Sequence, residues 1–383
     1  MVRRWKSAGF LAFCALLSST VAVGQAEAQA GNWQNTFTLT YEPTAEKPAF
    51  EKIDVGEVLT DAKFRLDSRR SCGDALRGTR NVNAKYCFDR SDASVNNWIP
   101  QGVSHVSDAY DAEAWTDAEG RVWKPLLVSW YQGQGKKTQS RITVAAPREA
   151  GREPVYAHLD LVRGAEPSNV PIHAGGIAWY GQYVYVVDTY VGIRVFDLAD
   201  VRSRPTGGYV LPETGIWRAK NTQGTTGACR GRNPRPRFSS LSVERTSHRM
   251  LVGEFCGDRD NHNRNGRLVS YQATGTLLGP LANGAQVRPT GALNLPVKHV
   301  QGVASDGRWY YLNQSYRRRP PRSAPPRMYR AEPSGANLVE RGRTSGAIGG
   351  EDLSLERGRG LLWSVTEFQS RGRMIYNVWR AGF

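Results

Sequence analysis

The sequence has little that could cross a bilayer. Only Phe10–Val23 is markedly apolar, and that run is short and interrupted. Nowhere does helical periodicity compete with short, strand-like runs. There is no HExxH zinc motif and no Gly-x-Ser-x-Gly nucleophile elbow. Gly224-Thr225-Thr226-Gly227 and the Arg230-Gly231 pair do not make a phosphate loop. Zinc-finger spacing, a recognition helix and RNA-binding motifs are also missing, so specific nucleic-acid reading has no motif behind it.

Acidic residues are also in short supply: Lys and Arg number 51 against 35 Asp and Glu, a formal charge of +16. Such a surplus favours anionic partners. Residues 1–30 read as a signal peptide, with a basic start at Arg3, Arg4 and Lys6, the apolar run, and Ala28-Gln29-Ala30 as the cleavage site. The expectation is a secreted, extracellular, monomeric protein without a transmembrane span. Of five cysteines, Cys14 falls in this leader. The remaining four, Cys72, Cys87, Cys229 and Cys256, suit two disulfides of an exported chain, and sequence order favours Cys72–Cys87 and Cys229–Cys256.

A degenerate repeat organises the rest. Its five copies begin Gln101-Gly102-Val103-Ser104, Gly175-Gly176-Ile177-Ala178, Ser239-Ser240-Leu241-Ser242, Gln301-Gly302-Val303-Ala304 and Glu351-Asp352-Leu353-Ser354. Each opens a short strand, then a tight turn such as Ser305-Asp306-Gly307-Arg308, then a more apolar strand. Those second strands start at Pro125, Tyr183, Met250, Trp309 and Leu361. Third strands follow from Arg141, Gly192, Gly266, Arg327 and Arg373, and fourth strands are clearest at Tyr156 and Tyr209.

This pattern predicts an all-β fold: a β-propeller of four-stranded antiparallel blades, five-bladed, with six as the alternative. In the five-bladed reading, Thr36–Tyr41 pairs with the last blade and closes the ring. Residues 31–98 then hold that closing strand and a disulfide-pinned segment; in the alternative they form an extra blade. Residues 99–383 carry the blades. The strand pattern resembles, in a general way, the broad NHL, YWTD and lactonase-like propeller superfamily, over about residues 99–380. That superfamily hosts binding modules, lactonases, lyases and glycosidases, so the resemblance implies a fold and leaves the activity open.

In a propeller, first strands begin on the face where second strands end. One mouth of the channel is therefore expected to gather Gln101, His173, Arg237, His299, Gln301, Glu351 and Asp352 with Ser129, Asp188, Glu254, Asn313 and Glu367. Two basic loops, Arg230–Arg237 and Tyr316–Arg330, are expected to project there. Tyr316, Arg317 and Arg318 would add an aromatic ring and guanidinium forks for carboxylate or phosphate, and Trp130, Tyr131 and Tyr190 further rings. The ligand-binding set is thus Gln101, Asp188, Arg237, Glu254, Gln301, Asn313, Tyr316, Arg317 and Arg318. Asp258–Gly266 has the early spacing of a calcium loop but lacks its final glutamate, Gln272 standing in that place.

Two functions follow. The first is a non-enzymatic secreted protein binding an anionic glycan or cell-envelope polymer through a basic mouth, requiring no cofactor. The alternative is a hydrolase or lyase on an acidic carbohydrate or ester. It would use His173, His299 and Glu351 as catalytic groups, with or without a divalent metal.

Overall fold

A computed structural model describes residues 33–133, 137–147, 153–220, 229, 236–257, 265–273, 281–316 and 325–383. The predicted leader lies outside them.

Hydrophobic alternation builds the strands. In Tyr183–Asp188 of the second repeat, Val184 and Val186 enter one core cluster and Tyr185 and Val187 the next. A strand buried on both faces must carry apolar residues at odd and even positions, which is why second strands read as near-continuous apolar runs. Among the described residues the repeats assemble into five four-stranded antiparallel sheets, beside one small two-stranded pair, Trp115–Thr116 with Val122–Trp123. Sheet 1 is Trp98–His105, Leu126–Gln132, Gln139–Ala146 and Val155–Arg163. Sheet 2 is Ile177–Tyr180, Tyr183–Asp188, Gly192–Asp197 and Tyr209–Ala219. Sheet 3 is Phe238–Glu244, Arg249–Glu254, Arg267–Gln272 and Gly291–Asn294. Sheet 4 is Val300–Ser305, Tyr310–Gln314, Arg327–Ser334 and Asn337–Ser345. Sheet 5 is Ser354–Glu356, Leu361–Val365, Met374–Trp379 and Val82–Cys87.

The first strands contact one another in a ring, 1 to 2 to 3 to 4 to 5 and back to 1. Large apolar clusters fill the wedges between consecutive sheets. This is a β-propeller. Trp130, Trp179, Trp217 and Trp363 are fully buried in those wedges. Trp130, expected among the aromatics of the mouth, is thus core, packed edge-on to Phe88.

The N-terminal region departs from expectation. Leu39–Pro43 does not pair with sheet 5; it runs antiparallel to Tyr209–Ala219, the outer strand of sheet 2, and also meets Gln286–Val287. Phe37, Leu39 and Tyr41 are fully buried there. The strand that completes sheet 5 is Val82–Cys87, paired with Met374–Trp379. Both expected disulfides form, Cys72–Cys87 and Cys229–Cys256, and the first anchors the end of that strand. The outer strands of sheets 1 and 2 pair in parallel, Leu159 opposite Tyr209, which covers edges that would otherwise be open.

Candidate functional site

In three of the five repeats the second residue is a glycine that faces the neighbouring inner strand. A Cβ on Gly102 would lie 2.8 Å from Ile177 N, on Gly176 2.4 Å from Leu241 N, and on Gly302 2.6 Å from Leu353 N. Side-chain-free positions let the first strands close up around the axis. The first residue of each repeat is then left at the mouth where the first strands begin.

Four of the predicted residues meet there. Gln101 Nε2 donates to Glu367 Oε2 at 3.4 Å, and Gln301 Nε2 to Glu351 Oε1 at 3.4 Å. The Glu351 and Glu367 carboxyls are hydrogen-bonded to each other. Asn313 Nδ2 donates to the Glu351 carbonyl at 2.6 Å and fixes its backbone. Burial, and then the charge of Glu367 beside it, raise Glu351 well above the ordinary carboxyl range. Arg373, from the start of the third strand of sheet 5, donates through Nε to the Glu367 carbonyl at 2.8 Å; burial lowers its pKa to about 10. Asp352 lies deeper, fully buried, with Oδ2 accepting from Ile177 N at 3.2 Å. Burial raises its pKa well above the usual range.

Two other predicted carboxylates are committed to arginines of their own sheets. Asp188 accepts from Arg194 Nε and Nη2 at 3.0 and 2.8 Å. Glu254 accepts from Arg267 Nε and Nη2 at 2.7 and 2.9 Å, and from the backbone amides of Arg237 and Arg267. Their main work is to hold the second and third strands together. The arginines were visible in the sequence as a recurring residue at or near the start of each third strand (Arg141, Arg194, Arg267, Arg327 and Arg373).

Both predicted histidines pack on aromatic rings. His173 stacks on Tyr131, centroids 4.6 Å apart, and Lys137 Nζ lies 3.9 Å from the same ring. Burial, and then the charges of Lys137 and Arg237, lower the His173 pKa to about 4, so the ring is neutral near pH 7. His299 packs against Tyr316 at 4.6 Å and Phe255 at 5.7 Å, and its amide donates to the Cys256 carbonyl. The Cys229–Cys256 bridge therefore sits beside His299. Arg237 lies over the Phe255 ring at 5.4 Å. His173, His299 and Glu351 do not form a ligand set; among the described residues the only group of acids, cysteines and histidines close enough for one ion is Asp54, Asp117 and Glu119. There Asp54 caps a short helix and Asp117 accepts from Arg121 and Trp123. Arg317, Arg318, Arg230 and most of Asp258–Gly266 lie outside the described residues.

A buried chain in sheet 1 was not legible in advance. His158 bonds Thr143 Oγ1 at 2.8 Å and Asp92 at 3.0 Å, and Asp92 also accepts from Arg141 and Tyr156. Thr143 is fully buried, so this nucleophile–base–acid order has no open side, and the network serves to dock residues 90–93 on the sheet.

No family model matches the chain, and no curated protein does. Solved structures with a similar course of chain include the Kuenenia stuttgartiensis hydrazine synthase, 9% identical over 63% of this chain, TM-score 0.31. This chain spans about half, 52%, of that one. A chain of a mitotic checkpoint complex is 11% identical, covering 88% of this chain and 96% of its own, TM-score 0.33. Sqt1 from Chaetomium thermophilum is 8% identical, covering 75% and 73%, TM-score 0.32.

Proposed function

We propose that this protein is an exported, non-enzymatic binding module that takes an anionic glycan or cell-envelope polymer at the mouth where the first strands begin. The observation that carries this reading is His173: a neutral ring stacked on Tyr131, with Lys137 and Arg237 supplying the charges it feels. A flat, desolvated aromatic step beside two cations suits a sugar ring bearing a carboxylate or phosphate. The acids of the same mouth oppose this little, because Asp188 and Glu254 are matched by Arg194 and Arg267, and Glu351 is held towards its neutral form. Two residues just ahead of inner strands, Ala174 and His299, adopt left-handed backbone with φ of 54° and 61°. Non-glycine residues in that region cost about 1–3 kcal/mol and gather at functional sites. Two disulfides fit an oxidising compartment.

The hydrolase or lyase alternative rests on Glu351 and Glu367, which can pass a proton between them. Carboxyls in hydrogen-bond contact leave no room for a sugar and water between them, so they do not have a glycosidase's spacing.

The test is titration with polygalacturonate and with a neutral glucan. Expected is binding to the acidic polymer alone, weakening steeply between 50 and 200 mM salt, and at least tenfold weaker in Lys137→Ala/Arg237→Ala. Equal binding of both polymers, or an unaffected double variant, would overturn the reading. Release of reducing ends or unsaturated uronate would replace it with the enzymatic alternative.

A further inference from the structure

The opposite mouth, where first strands turn into second strands, holds a cavity of about 160 Å³. Its walls come from the inner hairpins of sheets 3, 4 and 5 and from the segment after the first strand of sheet 1. Arg245, Asp306, Arg357 and Asp108 line it, with Arg380 from the C-terminal turn and Thr246 on the rim. A void of this size accepts a molecule about as large as benzene.

The lining is unusually rich in arginine. The Arg245 side chain is only 9% exposed, and its Nε has no hydrogen-bond acceptor. Its Nη2 pairs with Asp111, a residue exposed to water, and its guanidinium lies 4.9 Å from the Tyr180 ring. Arg357 is held by the carbonyls of Ser107 and Tyr110 and pairs with Glu113, Nε to Oε1 at 3.4 Å, and Arg380 is held by Asp306. The other acid, Asp108, accepts at Oδ2 from Ser104 and Ser354, at 2.8 and 2.6 Å. Its burial pushes the pKa up to about 7, against the lowering influence of Arg357 and Arg245. The three guanidinium groups are each tied to one carboxylate, Asp111, Glu113 and Asp306, and Asp108 adds a carboxyl half-protonated near pH 7, which leaves the buried Arg245 Nε as the donor without an acceptor. A buried, unmatched guanidinium N–H is a costly group unless an acceptor reaches it.

We propose that this cavity is a binding site for a small oxyanion, a carboxylate or phosphate group, gripped by Arg245 with Arg357 and Arg380 around it. Arginine forks suit either group. The site is separate from the polymer-binding mouth, and neither reading depends on the other.

The test is calorimetric titration of the protein, at low salt, with inorganic phosphate and separately with malonate. Expected is one site per chain for at least one of the two probes, and which one binds identifies the group. Arg245→Gln should weaken it at least tenfold. That variant also loses the tie to Asp111, so Thr246→Trp provides an independent block: residue 246 is exposed, and the larger ring fills the rim without removing an ion pair. Arg163→Ala, an exposed arginine at the outer edge of sheet 1, controls for net charge. Absence of binding by both probes, wild-type affinity in Thr246→Trp with the fold retained, or an equal loss in Arg163→Ala would overturn the proposal.

Discussion

Asp108 is joined through one oxygen to serines of sheets 1 and 5, and its proton is part of how those sheets meet. Its folded pKa of about 7 stands above the ordinary 3.8, so the folded protein keeps a proton that the unfolded chain has lost. Stability from this group is therefore largest at low pH and falls as pH rises from about 4 to 7. Asparagine keeps the acceptor oxygen and cannot titrate. Measured by denaturant unfolding at pH 4.5 and pH 8, wild type should lose on the order of 3 kcal/mol relative to Asp108→Asn between the two. An unchanged difference would mean that Asp108 does not titrate in that window. At this scale the sequence was a partial guide. Gln101, Gln301 and Glu351 were legible as a group because they share one repeat position. That Asp188 and Glu254 face arginines of their own sheets was not, because it depends on cross-strand register between second and third strands.

At the scale of elements, a glycine repeat records how closely the inner strands approach. Gly176 is the tightest of the repeat's inner-strand glycines: the three atoms nearest its missing Cβ, at 2.4–2.7 Å, are all backbone of sheet 3. Backbone cannot rotate away as a side chain can, so Gly176→Ala should cost more than the usual ~1–3 kcal/mol of overpacking. Gly291→Ala, which meets only the Ser270 hydroxyl at 3.0 Å, should cost less than 1 kcal/mol by the same measurement. Comparable losses in the two variants would remove the close-approach argument. Second and third strands could be read in advance because apolar alternation and turns such as Asp306-Gly307 mark them. The closing strand could not. Thr36–Tyr41 alternates well, and Phe37, Leu39 and Tyr41 are indeed buried, yet against the outer edge of sheet 2. Val82–Cys87 is buried only at Tyr86 and Cys87, too weak a pattern to advertise its place.

For the whole molecule, the decisive event is ring closure, joining residues 82–87 to 374–378 across about three-quarters of the chain. Contacts so distant in sequence carry a loop-closure cost. The Cys72–Cys87 bridge holds the closing strand's end to the segment before it, across 15 residues. Cross-linking a loop of that length is worth about 3 kcal/mol. Cys72→Ser/Cys87→Ser should therefore unfold at lower denaturant, with a loss near that value. Equal midpoints for variant and parent would show that closure does not depend on the bridge.

The sequence by itself determined the all-β class, the repeat and its strand pairs, the cysteine partners and a strongly basic surface. Each follows from local pattern or composition, which a linear chain displays directly. Tertiary structure alone decided which N-terminal strand completes sheet 5, that Glu351 pairs with Glu367 while His173 and His299 pack on aromatic rings, and that arginines from three separate turns line a cavity at the second mouth. Those outcomes rest on distances between residues far apart in the chain, and sheet packing, not local propensity, sets such distances.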